Sequence, residues 1–123
     1  MTAKSTLLLI SAFLCLSSFY SALPQDKFTC NVYIPNAFSP NDDGVNDVFQ
    51  PNVGCPITAF DLKIFSRSGQ LIFSTQNSED GWDGTSKGQL AAASAYVYLL
   101  KVTYDQEGDA KSELKTGDVA LIR

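Results

Sequence analysis

Oxygen-bearing side chains crowd one short stretch of this chain: Asn41, Asp42, Asp43, Asn46 and Asp47 surround Gly44 and follow Pro40. Hard cations such as calcium take several oxygen ligands from compact loops, and Asn41, Asp43 and Asp47 are the candidate ligands here. The downstream bidentate glutamate that completes a helix-loop-helix calcium loop is missing. The same residue types also close turns on themselves, with Asp and Asn side chains accepting hydrogen bonds from nearby backbone N–H groups. Residue types alone leave both readings open.

Other chemistry is thinner. Asp80 and Asp83 resemble an acid/base couple, but carboxylates in a glycine-rich exported loop are ordinarily solvated turn residues. The lone tryptophan lies in Gly81-Trp82-Asp83-Gly84. A sugar-stacking aromatic is one reading; a core plug beneath a long loop is the favoured one, because no polar partners accompany it. The chain has no histidine, which excludes Ser-His-Asp and Cys-His catalysis and histidine-rich zinc sites. No convergent nucleophile and base take their place, so no enzyme is expected.

The elements that must position these residues read as strands. No segment after Ala22 sustains a helical period, and β-rich runs separated by turn residues dominate. Residues 28–34 form one such run, stopped by Pro35. Residues 57–65 alternate, with Phe60, Leu62 and Ile64 on one face and Asp61 and Lys63 on the other. A turn over residues 66–70 follows, where Gly69 supplies a positive φ, and residues 71–75 return. Residues 76–89 make a long polar loop. Residues 96–104 are apolar at nearly every position and read as a central strand covered on both faces. After a turn at 105–109, residues 110–115 pair back and 117–123 form a last short strand. Ala91-Ala92-Ala93 seeds at most a helical turn. About seven strands predict an all-β, immunoglobulin-like antiparallel sandwich.

Residues 1–22 read as a signal peptide, with Lys4 before an apolar run over 7–16 and small or polar residues after it. The run is short for a membrane span, and Phe13 and Leu14 are too bulky for lipidation at Cys15. Cleavage is placed after Ala22. Residues 23–29 are then a short lead-in and 30–123 one domain, with the leader running directly into it. Lys4 leaves with the leader, so eight of the nine basic residues face 13 acidic ones and the net charge falls near −5. An acidic chain without a basic cluster argues against nucleic acid or anionic lipid as partner. Cys30 and Cys55 remain, and in an exported protein such a pair reads as a disulfide. Closing that loop stabilises a fold by about 3–4 kcal/mol in the chain-entropy model.

Five ordered motifs resemble one family. Val32-Tyr33-Ile34-Pro35-Asn36-Ala37-Phe38-Ser39-Pro40-Asn41 followed by Asp43-Gly44-Val45-Asn46-Asp47-Val48-Phe49 is similar to the opening of the gliding motility-associated C-terminal domain, the type B sorting domain of the type IX secretion system in Bacteroidota. The hairpin over 60–73, Trp82-Asp83-Gly84, Tyr96-Val97-Tyr98 and the ending from Gly117 to Arg123 follow in the family's order. The sequence departs where Asp42 replaces a usual Gly, Ser68 a usual Trp, and Ala92-Ala93-Ser94 a usual Pro-x-Gly. Family members usually follow a long cargo.

The resemblance implies an address rather than a catalyst. The chain would pass through the periplasm, be recognised by the outer-membrane type IX machinery, and reach the cell surface or the medium. Proteins of a surface complex are further expected partners; no small-molecule substrate is. Recognition is expected at the 35–49 loop and the 115–123 end. The named motif residues are Pro35, Asn36, Phe38, Pro40, Asn41, Asp43, Gly44, Asn46, Asp47, Trp82, Asp83, Gly84, Gly117 and Arg123. The edge of a C-terminal strand suits pairing with a partner strand. The alternative is a free-standing adhesive or matrix-binding sandwich, stabilised by calcium.

Overall fold

The computed structural model describes residues 29–123; the expected leader and all of the lead-in except Thr29 lie outside the described residues. The described residues are all-β, with small sheets and loops packed in a sandwich-like arrangement on one larger sheet. Among the described residues nine strands follow in order: β1 Val32–Tyr33, β2 Ala37–Phe38, β3 Asn52–Val53, β4 Ala59–Phe65, β5 Leu71–Thr75, β6 Thr85–Ser86, β7 Gln89–Leu90, β8 Ser94–Gln106 and β9 Asp109–Leu121. The five-stranded sheet runs β2-β9-β8-β4-β5, while β1 pairs β3 and β6 pairs β7.

Alternation builds the sheet. Phe60, Leu62 and Ile64 of β4 are buried, as their spacing predicts, and lie on the face shared with Tyr96, Leu100, Val102 and Tyr104 of β8 and Val119 and Leu121 of β9. Phe38 of β2, with Phe49 and Trp82 from outside the large sheet, completes this core. The turn after β4 uses Gly69 at φ +93°. The turn between β8 and β9 has only Glu107 and Gly108 between the paired Gln106 and Asp109, at φ +53° and +87°. Two successive positive φ values are what the type I′ two-residue hairpin turn requires, whose twist matches that of the flanking strands.

Several expectations shift. Of the run over 28–34, the described residues 29–34 keep strand pairing only at Val32–Tyr33; Cys30 is held instead by its disulfide to Cys55. Residues 110–115 and 117–121 belong to one continuous strand, β9, because Gly117 does not break the ladder; Ile122 and Arg123 lie beyond its end. A Cβ at Gly117 would lie 2.7 Å from the Tyr98 hydroxyl, so glycine there makes room for an aromatic ring rather than a bend. β8 is central but unevenly covered: Val97, Leu99 and Thr103, on its other face, are only half-buried and Lys101 is exposed. One pairing, β2 with β9, is parallel. The alanine run at 91–93 has no helical turn.

β2 meets β9 only at Ala120 and Leu121. The outer edge of β9 from Asp109 to Val119 therefore has no strand beside it among the described residues. The β8–β9 hairpin also overshoots its other neighbour, since β4 pairs with β8 only between Val97 and Thr103.

Candidate recognition site

The loop over 39–47 is organised by its own acidic side chains. Asp47 spans it: one carboxylate oxygen accepts from the Asn41 N–H at 3.1 Å and the other from the Gly44 N–H at 2.7 Å. Asn41 Oδ1 accepts from the Asp43 N–H at 3.2 Å, and Asp43 Oδ1 from the Val45 N–H at 2.9 Å. The Ser39 N–H donates to the Asn46 carbonyl at 2.8 Å and closes the base. Asp42, Gly44 and Asn46 take φ +59°, +81° and +53°. Asp and Asn tolerate this left-handed region better than other non-glycine residues. That explains how Asp42 stands where glycine is usual in the family it resembles. The three candidate calcium ligands thus each present oxygen to loop N–H groups. No group of three or more cysteine or acidic side chains is placed to hold a metal among the described residues.

Trp82 packs against Phe38 and Phe49, on either side of this loop in sequence. It is fully buried, and its backbone forms an isolated antiparallel bridge with Phe49, the two exchanging N–H to carbonyl bonds of 2.8 and 2.9 Å. Such close approach needs Gly81, where a Cβ would come within 2.9 Å of the Phe49 carbonyl oxygen. The indole meets Tyr96 edge-on at 4.9 Å and Phe38 at 5.2 Å. Its N–H donates to the Thr85 carbonyl at 2.9 Å, so burial leaves no donor unpaired. Asp83 accepts from the Thr85 N–H and hydroxyl, at 3.0 and 2.6 Å, and fixes the turn after the tryptophan. This is the plug, not a stacking platform. Asp80 accepts from the Thr75 hydroxyl at 3.3 Å, while Asp83 is engaged by Thr85.

The C-terminal segment completes the assembly. The N–H groups of Ala120 and Ile122 donate to the carbonyls of Asn36 and Phe38 at 2.9 and 3.0 Å, which aligns β2 beside β9. Arg123 reaches across to the Gly84 and Ala91 carbonyls at 3.0 and 3.1 Å. Gly84, at φ +85°, sits where the segments meet: a Cβ there would contact Pro40, Leu121 and Arg123 at 3.1 to 3.3 Å. Motifs far apart in sequence thus form one contiguous structure of loop, plug and terminus. Sequence reading missed the Arg123 bonds and the carbonyls of Thr85 and Ala91. Only the Asp83-x-Thr85 spacing, typical of an Asx turn, carried a signal.

The model of the type IX secretion signal domain (CHU_C) matches residues 32–120. The chain belongs to that family. No curated protein and no solved structure matches it. The signal domain's matched span runs from β1 into the last residues of β9. The family assigns a role in sorting and secretion, with the secretion machinery in general as partner and the cell surface or extracellular space as destination. The open cleft beside the Cys30–Cys55 disulfide is lined by residues 50–53, 55–57, 78 and 79, with Glu79 as its only titratable side chain.

Proposed function

We propose that this domain is a non-enzymatic address. It would direct export through the outer membrane by the type IX machinery and display at the cell surface, in the manner of gliding motility-type surface proteins. In this reading residues 1–22 carry the chain into the periplasm, where Cys30 and Cys55 are oxidised. The family match over residues 32–120 carries the proposal. The joining of the 35–49 loop to Trp82, Gly84 and Arg123 supports it, because a folded signal must hold its recognised surface in one shape. We assign recognition to the 35–49 loop and the 115–123 end.

The test fuses residues 23–123 behind an exported reporter and compares type IX-proficient with type IX-deficient cells. Surface reporter in the proficient strain alone is expected; equal periplasmic retention in both strains overturns the proposal. Deleting residues 117–123 is a poor probe, because it removes Val119 and Leu121 from the core. Ile122→Asp changes an exposed side chain at the same end, and loss of export with the melting temperature kept locates recognition there.

A further inference from the structure

The outer edge of β9 is a self-complementary strand, and we propose that it pairs antiparallel with the same edge of a second copy, around a twofold axis at Leu114. The inference does not depend on the export role.

The backbone fixes which groups face outward. Ala120 and Ile122 donate away from β8, toward β2. The β8–β9 register is unbroken from Ser94↔Leu121 to Gln106↔Asp109, so every second residue keeps that orientation. Ala110, Ser112, Leu114, Thr116 and Asp118 therefore present both N–H and C=O to the open edge. Antiparallel pairing joins outward residues only with outward residues, which limits the registers.

Side chains select among those registers. With Leu114 opposite Leu114, Glu113 faces Lys115 of the second copy, and its own Lys115 faces that copy's Glu113. Ser112 faces Thr116 and Ala110 faces Asp118. A centre at Glu113 sets Glu113 against itself and Lys111 against Lys115. A centre at Lys115 sets that lysine against itself. A centre at Thr116 brings Ser112 against Ala120, which β2 already holds. A centre at Ser112 also matches charges but leaves the edge beyond Lys115 unpaired. The Leu114 centre uses the whole open stretch from Asp109 to Val119. It also places two Leu114 side chains, each 67% exposed, against one another. Lysines on an edge strand commonly deter pairing. Here their alternation with glutamate deters most foreign strands while matching its own reverse.

The test is cross-linking of the full chain purified from the periplasm of an expression host. Directly opposed residues of a hydrogen-bonded pair stand about 5.5 Å apart at Cα, within disulfide reach. Leu114→Cys is expected to give a disulfide-linked dimer under mild oxidation. Thr116→Cys, at a position that faces Ser112 of the second copy, is expected to give only the wild-type background. In the Leu114→Cys chain, Glu113→Lys or Lys115→Glu alone should lower dimer yield about tenfold at limiting protein, and the two together should restore it. Equal dimer yields from the Leu114→Cys and Thr116→Cys chains, or a charge-swapped double variant no better than the singles, overturn the proposal. So does cross-linking of the Leu114→Cys chain to another protein without self-linking.

Discussion

The two ends of β9 are built on opposite plans. At its C-terminal end, Val119 and Leu121 are buried, β2 lies alongside, and Arg123 ties the terminus to the Gly84 and Ala91 carbonyls. At its N-terminal end, residues 109–112 are exposed on both faces and no strand lies beside them on the outer edge among the described residues. One strand thus joins a segment cross-braced by several loops to one held by a single neighbour. Local stability follows the number of braces, so the hairpin tip should open before the loop assembly. A change at the braced end should cost global stability; a change at the tip should be felt locally.

The strongest way to break that contrast is Trp82→Ala. The substitution empties a fully buried site between Phe38 and Tyr96 and strands the Thr85 carbonyl. Removing a large buried aromatic typically costs about 3–5 kcal/mol, a large part of a small domain's stability. Urea unfolding of the variant should show this loss, while Leu114→Ala at the open end, measured at protein concentrations low enough to keep the chain monomeric, should stay within about 0.5 kcal/mol of wild type. A similar cost at both positions would remove the distinction.

Asp47→Ala tests the braced end from its solvent side. The carboxylate accepts two N–H bonds that hold the loop closed, so the loss should be about 1–2 kcal/mol in a denaturant melt, less than for a buried charge. Asp47→Asn should recover part of it, since one oxygen remains. The expected melting temperature is the same in calcium and in chelator. A chelator-dependent fall that Asp47→Ala abolishes would restore calcium as the organiser of Asn41, Asp43 and Asp47.

How much of this was legible in sequence depended on the range of the interaction. Alternation in β4 announced its buried face, and Gly69 announced its turn, because both signals are local. The lone tryptophan was readable as a plug for lack of polar company. The unity of β9 was hidden because glycine inside a strand ordinarily marks a bend, and only the Tyr98 ring on the neighbouring strand explains Gly117. β2 was hidden for a similar reason. Two residues carry no period, and their pairing depends on a segment more than 80 positions away. For the candidate site, the family-like motifs named most members, but not how Gly84 and Arg123 join them.

The smallest expected effect lies at the open end and is read by pH. The Tyr104 hydroxyl donates to Glu113 at 3.0 Å, a side-chain contact between β8 and β9 just past the end of β4 that adds to their backbone ladder. That hydrogen bond, then removal from water, then the carboxylate's negative charge raise the tyrosine above its ordinary pKa. All three favour the neutral phenol in the fold. The contribution is therefore complete below the unfolded tyrosine's pKa, near 10, and lost as pH rises through the higher folded value. Ultraviolet titration should show a late tyrosinate phase that Tyr104→Phe deletes and Glu113→Gln moves to lower pH. Amide exchange over residues 109–113 should quicken in the same alkaline window, while amides around Trp82 keep their protection. If both regions lose protection together, the hairpin tip and the braced end unfold as one unit, and the comparison between them fails.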